Sequence, residues 1–263
     1  DAPDHQNGGT MKKTTTPGEE IPIALLSQGQ QLVGIWHTGR SKKIVLLCHG
    51  FTGSKVESKR IFVEAGRIFS AEGIDAFRFD FFGSGDSAGE FADSSISTNL
   101  VNLQDAVAWA RRQGYEKIAA LGLSMGGATV ILSAADQPID ALVTWSAVPD
   151  MRRLFSSLMP DWQDKAHSTE MLEYEGWLIH RSFWEDALRY DIQQAFSRLT
   201  LPKLVIQGTA DSEVFIDGFY SFRDRALPPC DFMEIPGAGH TYQTPGHRRQ
   251  VIRQSLIWLK RHL

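Results

Sequence analysis

Along most of the chain, short apolar runs alternate with longer stretches whose apolar residues recur every three or four positions. Residues 21–27 and 31–37 alternate apolar and polar around Gly29, the pattern of a β-hairpin at a sheet edge. Residues 43–48 (KIVLLC) are almost continuously apolar, as a strand buried on both faces of a parallel sheet must be. A helix is predicted over about 56–71, a strand over 74–80, and a helix over 94–113 with Leu100, Leu103, Val107 and Ala110 on one face. Strands at 117–121 and 139–146 flank a small-residue helix at 126–135. The rhythm then breaks. Residues 149–201 carry no strand pattern, only helical stretches rich in aromatics (Phe155, Trp162, Tyr174, Trp177, Phe183, Trp184 and Tyr190). Alternation resumes with a strand at 203–207, a helix at 215–226, a strand at 231–235 and a terminal helix at 246–263. The order predicts an α/β fold: a doubly wound, mostly parallel sheet flanked by helices, built from residues 21–148 and 202–263. An insertion of this length is too long for a plain loop, so 149–201 is expected to be a helical cap over the sheet's C-terminal edge.

The chemistry concentrates where the strand at 117–121 meets the helix after it. Gly122, Ser124 and Gly126 form G-x-S-x-G, and Gly127 extends it. A serine at a strand-to-helix corner sits in a strained turn with its hydroxyl exposed, and its neighbours two away must be tiny because two backbones pass close together. Such a pattern also arises by chance in glycine-rich turns, but the strand before it and the helix after it favour a nucleophile. A serine hydroxyl needs a base to take its proton and an acid to orient that base. In this architecture they follow the serine in the order acid, then histidine. Asp211, just past the strand at 203–207, is the favoured acid; Asp150, after the preceding strand, is the alternative and is expected to cap a helix. His240, in the loop after the last strand, is the expected base. His247 belongs to the terminal helix, His167 and His180 to the insertion, and His37 and His262 read as structural or solvent-facing. The backbone N–H groups of Met125 and Phe51 are the expected oxyanion donors. His49 reads as a brace for the Phe51 loop through its ring nitrogens.

Composition narrows the picture. The chain has 263 residues, a net charge of −4 and no dense Lys/Arg stripe, so nucleic acid is not an expected partner. No apolar run is long enough to span a bilayer. Residues 1–20 are polar and lack the apolar core of a secretory signal; they read as a flexible tail, with 1–10 vector-derived and Met11 a natural start. Cys48 and Cys230 are too few for a disulfide framework, which makes the cytoplasm the expected compartment. Gly83-Ser84-Gly85 lacks dinucleotide-loop spacing, and no His/Cys/Asp/Glu cluster has metal-ligand spacing, so no metal is expected.

With Ser124, Asp211 and His240 in their motif positions, the chain from about residue 21 to its end resembles the α/β-hydrolase superfamily. That resemblance implies an eight-stranded sheet, the triad named above and no cofactor. His49-Gly50-Phe51-Thr52-Gly53 together with Asp80-Phe81-Phe82-Gly83-Ser84-Gly85-Asp86-Ser87 is similar to bacterial feruloyl/cinnamoyl esterases. The expectation is a serine carboxylesterase acting on a small-molecule ester, either an aryl ester or one with a short-to-medium acyl chain. Monoacylglycerol-lipase, thioesterase or peptidase activity with the same triad, acyl transfer to an acceptor other than water, and a non-catalytic receptor are the alternatives. Homo-oligomerisation stays open.

Overall fold

The computed structural model describes residues 18–263. Its strands are β1 Glu19–Ser27, β2 Gln30–Thr38, β3 Lys43–Cys48, β4 Asp75–Phe79, β5 Lys117–Leu123, β6 Ala141–Trp145, β7 Met171–Tyr174, β8 Trp177–His180, β9 Lys203–Gly208 and β10 Cys230–Ile235. The α-helices are α1 Ile61–Ala71, α2 Ile96–Arg112, α3 Met125–Ser133, α4 Met151–Leu158, α5 Trp162–Ser168, α6 Arg181–Ala187, α7 Ile192–Ser197, α8 Glu213–Arg225 and α9 Pro245–His262.

Eight strands form one sheet in the order β1-β2-β4-β3-β5-β6-β9-β10. β1 and β2 pair antiparallel, as do β2 and β4; every later neighbour is parallel. The continuous apolar run of β3 follows from burial on both faces. Ile44, Leu46 and Cys48 face one core with residues of α2, α3 and α8, while Val45 and Leu47 face the other with residues of α1 and α9. Polar residues in this layer are tied down. Lys203, wholly buried, donates from Nζ to the carbonyls of Leu199 and Leu227 at 2.8 and 2.7 Å, and Tyr115 donates to Asp75.

Between β6 and β9, adjacent in the sheet, the chain makes the long excursion of α4 to α7. The expectation of helices alone is corrected here, because β7 and β8 form an antiparallel hairpin. Its two-residue turn, Glu175-Gly176, has positive φ at both positions (48° and 83°), which matches the twist of the flanking strands. Leu172 and Ile179 point into the core while their neighbours face out. The β1–β2 hairpin uses the same device at Gln28-Gly29 (φ 49° and 79°). Strand β1 begins at Glu19, inside the stretch expected to be a tail; Met11 and the 1–10 segment lie outside the described residues.

Candidate active site

Ser124 follows β5 and caps α3 with φ 55° and ψ −118°, a left-handed conformation that a residue with a Cβ adopts only under constraint. The constraint is visible. Its N–H donates to the Trp145 carbonyl at 2.9 Å, and its own carbonyl accepts the N–H of Val148 at 3.1 Å. A Cβ on Gly122 would lie 2.1 Å from the Gly126 carbonyl oxygen, and one on Gly126 would lie 2.0 Å from that of Cys48. Only glycine fits at either position.

The strand ends bring three distant side chains into one line. Ser124 Oγ lies 2.9 Å from His240 Nε2, and His240 Nδ1 lies 2.8 Å from Asp211 Oδ2. The Asp211 carboxylate is almost fully buried, and it is held on both oxygens. Gln207 Nε2 donates to Oδ2 at 2.8 Å and the Ser212 N–H donates to Oδ1 at 2.7 Å. The Phe215 ring packs on the imidazole at 4.1 Å between centroids. Asp150, the alternative acid, caps α4 by accepting the Arg153 N–H and stands apart from this line. His167 bonds the Gln163 carbonyl within α5, His180 at the end of β8 caps α6 by accepting the Ser182 N–H, His262 stacks on Trp258, and the His247 N–H is accepted by Thr244, the cap of α9. His37 accepts a hydrogen bond from buried Arg78.

The loop after β3 closes on the serine from the other side. His49 is buried; its Nε2 accepts the Phe81 N–H at 3.0 Å, so Nδ1 carries the proton and donates to the Gly50 carbonyl at 2.9 Å. Burial holds this imidazole below its ordinary pKa, which keeps it neutral. As the first residue of α3, Met125 has no carbonyl one turn back to receive its N–H. Phe51 also has no partner for its N–H among the described residues. Cys48 is wholly buried, and desolvation pushes its thiol far up, which leaves it a packing group. Lys55 joins the loop to the end of β4. Burial lowers its pKa, but hydrogen bonds from its ammonium to Asp80 and Asp86, both 2.5 Å, outweigh that and hold it above the usual lysine value.

The walls are aromatic. The Phe51 ring contacts Phe91 and Phe183 (5.4 Å each), Tyr174 (6.0 Å) and Trp184 (6.4 Å). A narrow crevice beside Met125 and Phe51 is lined by Phe82, Phe91 and Phe183, with His49, Ser84, Ser94 and Asn99 among its polar members. A larger hollow of about 420 Å³ lies on the excursion between Arg152, Trp162, Arg181 and Trp184, with none of Ser124, His240 or Asp211 in its lining. Gln207 and Phe215 were not expected from the sequence. A polar residue at the end of buried β9, four before the acid, was the available signal for Gln207. Among the described residues no group of three or more His, Cys, Asp or Glu could hold a metal ion, and no helix is long and apolar enough to cross a membrane.

The family described as Serine aminopeptidase, S33 (Hydrolase_4) matches residues 39–172, just over half of the chain. The chain belongs to this α/β-hydrolase family. The matched stretch contains Phe51, Ser124 and Met125 and ends before Asp211 and His240. A carboxylesterase of Bacillus subtilis (strain 168) is 30% identical over 105 residues, which is 40% of this chain and 41% of that protein. Across the curated relatives, the match spans about two fifths of their length. Est1E from Butyrivibrio proteoclasticus with bound ferulic acid superposes with a TM-score of 0.80 at 22% identity, covering 91% of this chain and 98% of that one. The α/β-hydrolase GrgF from Penicillium sp. sh18 gives 0.76 at 19%, covering 93% and 99%. At these identities the structural likeness is one of fold.

Proposed function

We propose that this α/β-hydrolase is a serine carboxylesterase that works through an acyl-enzyme on Ser124. The observation that carries the reading is the hydrogen-bonded line Ser124–His240–Asp211, anchored on a strained strand-to-helix turn. Ser124 Oγ attacks the ester carbonyl while His240 Nε2 takes its proton, and the Asp211 carboxylate holds the imidazole and stabilises its charged form. The N–H groups of Met125 and Phe51 stabilise the oxyanion of the tetrahedral intermediate. As the intermediate collapses, the C–O bond to the alcohol breaks and His240 returns the proton to it. Water then cleaves the acyl-enzyme by the same steps, which regenerates the serine.

Residues 149–201 act in this reading as a cap that supplies the aromatic wall. The aromatic rings packed around Phe51 favour an aryl acyl group or a short-to-medium acyl chain, and the ferulic acid held by Est1E supports the aryl form. The matching family's description names a peptidase, so amide substrates belong in the test. Wild type and Ser124→Ala are assayed on a chromogenic ester series from acetate to dodecanoate, on methyl ferulate and on amino-acid anilides. Ester turnover lost in the variant is the expected result. Turnover of anilides alone would replace the esterase reading with the peptidase one.

A further inference from the structure

Beside the Phe51 loop the chain passes through a turn with a strained backbone. Glu57 has φ 57° and ψ 170°, a combination open to glycine and scarcely ever taken by residues with a Cβ. Lys59 and Arg60 follow with φ 51° and 63°. A glycine would relax this turn, and yet a glutamate occupies it. Its carboxylate gives the reason: Oε1 accepts the Gly50 N–H at 2.6 Å and Oε2 accepts the Ser58 N–H at 3.1 Å. Gly50 abuts the serine, since a Cβ there would lie 3.2 Å from Ser124 Cβ. A Cβ on Gly53 would lie 2.8 Å from Glu57 Oε1, so the carboxylate is seated against the loop from Gly50 to Gly53. On the far side, Ser58 Oγ accepts the hydroxyl of Thr241, the residue after His240, at 3.3 Å.

We propose that Glu57 is a positioning residue for acyl transfer: it pins Gly50 so that the next N–H, that of Phe51, is fixed for the oxyanion. The proposal rests on the esterase reading of Ser124. In a trans peptide the carbonyl of Gly50 and the N–H of Phe51 point in opposite directions. His49 Nδ1–H and the Gly53 N–H hold that carbonyl, at 2.9 and 3.1 Å, and Glu57 holds the Gly50 N–H on the other side of the same residue. With both ends of Gly50 fixed, the peptide plane that carries the Phe51 donor cannot rotate. Preorganised donors act on the charge that develops in the transition state, so loosening them lowers kcat and leaves ground-state binding almost unchanged. Through Ser58 and Thr241 the same turn fastens the donor loop to the loop of the base.

The test compares Glu57→Ala, Glu57→Gly and Glu57→Gln with wild type and Ser124→Ala on the best ester of the panel. Glu57→Ala and Glu57→Gly are expected to lose roughly ten- to a hundredfold in kcat with little change in KM. Affinity for a boronic acid that forms a tetrahedral adduct should fall by the same factor, and affinity for the product acid should not. Glu57→Gln should recover most of the rate, because its amide oxygen can still accept the Gly50 N–H. Glu57→Gly also relieves the strained backbone, so its Tm should hold or rise while kcat falls. Wild-type kcat in Glu57→Ala, or a Tm that falls in step with kcat in Glu57→Gly, would overturn the positioning role while leaving the esterase reading intact. If wild type hydrolyses no ester, the esterase reading falls and takes this proposal with it.

Discussion

Two regions meet over Ser124, and different forces hold them. Below the serine, the loops at the strand ends are fixed by directional hydrogen bonds. Asp211 is bound on both oxygens, His49 on both nitrogens, and Ser124 through its backbone to β6. Above it, the segment from α4 to α7 is held chiefly by ring contacts. Trp184 packs on Phe155 (4.2 Å), Trp162 (6.0 Å) and Phe51, with polar clamps where Ser97 at the start of α2 bonds Asp186 and Tyr190, and where Asp217 and Ser221 of α8 bond Arg153 and Gln193. Directional bonds set reacting atoms to within tenths of an ångström, which acid–base chemistry requires. Ring packing tolerates exchange of shape, which suits the substrate-facing wall proposed for this segment. Under the proposed esterase reading, chemistry and selectivity can therefore be altered separately.

The largest expected effect comes from removing the proposed nucleophile. Ser124→Ala is expected to lower kcat by about a thousandfold or more, equivalent to about 4 kcal/mol of transition-state stabilisation, with an unchanged circular dichroism melt. Activity lost together with the fold would mean that the strained serine is structural. Next comes the turn that positions it. Gly122→Ala should destabilise the protein by about 3 kcal/mol, read from urea unfolding, because the new Cβ meets backbone that cannot move aside. A neutral result would show that the strand and helix backbones separate more easily than their contact implies.

On the aromatic side, Trp184→Leu should cost about 2 kcal/mol of stability and shift the acyl-chain preference through KM, while kcat for the acetate ester changes less than about threefold. A large loss of kcat on acetate would show that the wall also aligns the chemistry. The smallest effect is away from both regions. Burial, together with the Arg78 charge, holds the His37 imidazole down to about 4. An unfolded chain therefore takes up a proton between its ordinary value near 6.5 and about 4, where the folded protein does not. The stability His37 contributes is complete above about pH 6.5 and is lost as the pH falls towards 4. His37→Gln should flatten that part of the Tm profile and leave kcat alone; an unchanged slope would assign acid sensitivity elsewhere.

Much of the sheet was readable because burial on both faces forces near-continuous apolar runs. Residues 43–48 and 203–207 match β3 and β9 to within a residue. The β7–β8 hairpin was not, although its Glu175-Gly176 turn repeats the Gln28-Gly29 device of β1–β2. Its strands are four residues each, with one fully inward side chain apiece, too short for a period of two to stand out against neighbouring helices. At the candidate site, chain order and strand-end placement singled out Ser124, Asp211 and His240 because a strand end fixes where a following loop emerges. Gln207 carried only the weaker signal of a polar residue at the end of a buried strand, and Phe215 and Glu57 carried none, for their relation to the site exists only in space.

Read alone, then, the chain carried the order of strands and helices outside residues 149–201, the glycines that let β5 and α3 pass close together, and the order serine, acid, histidine. These are local or strictly sequential properties, set by backbone sterics and by the period at which apolar residues recur. Which partners each polar group meets was set by folding in three dimensions. Glu57 reaches the Gly50 N–H, Gln207 reaches the acid already bound to His240, and the Phe51 ring becomes the hub on which the rings of the excursion pack. Hydrogen bonds and ring contacts act over a few ångströms between residues up to more than a hundred positions apart, and no pattern along the chain encodes that distance.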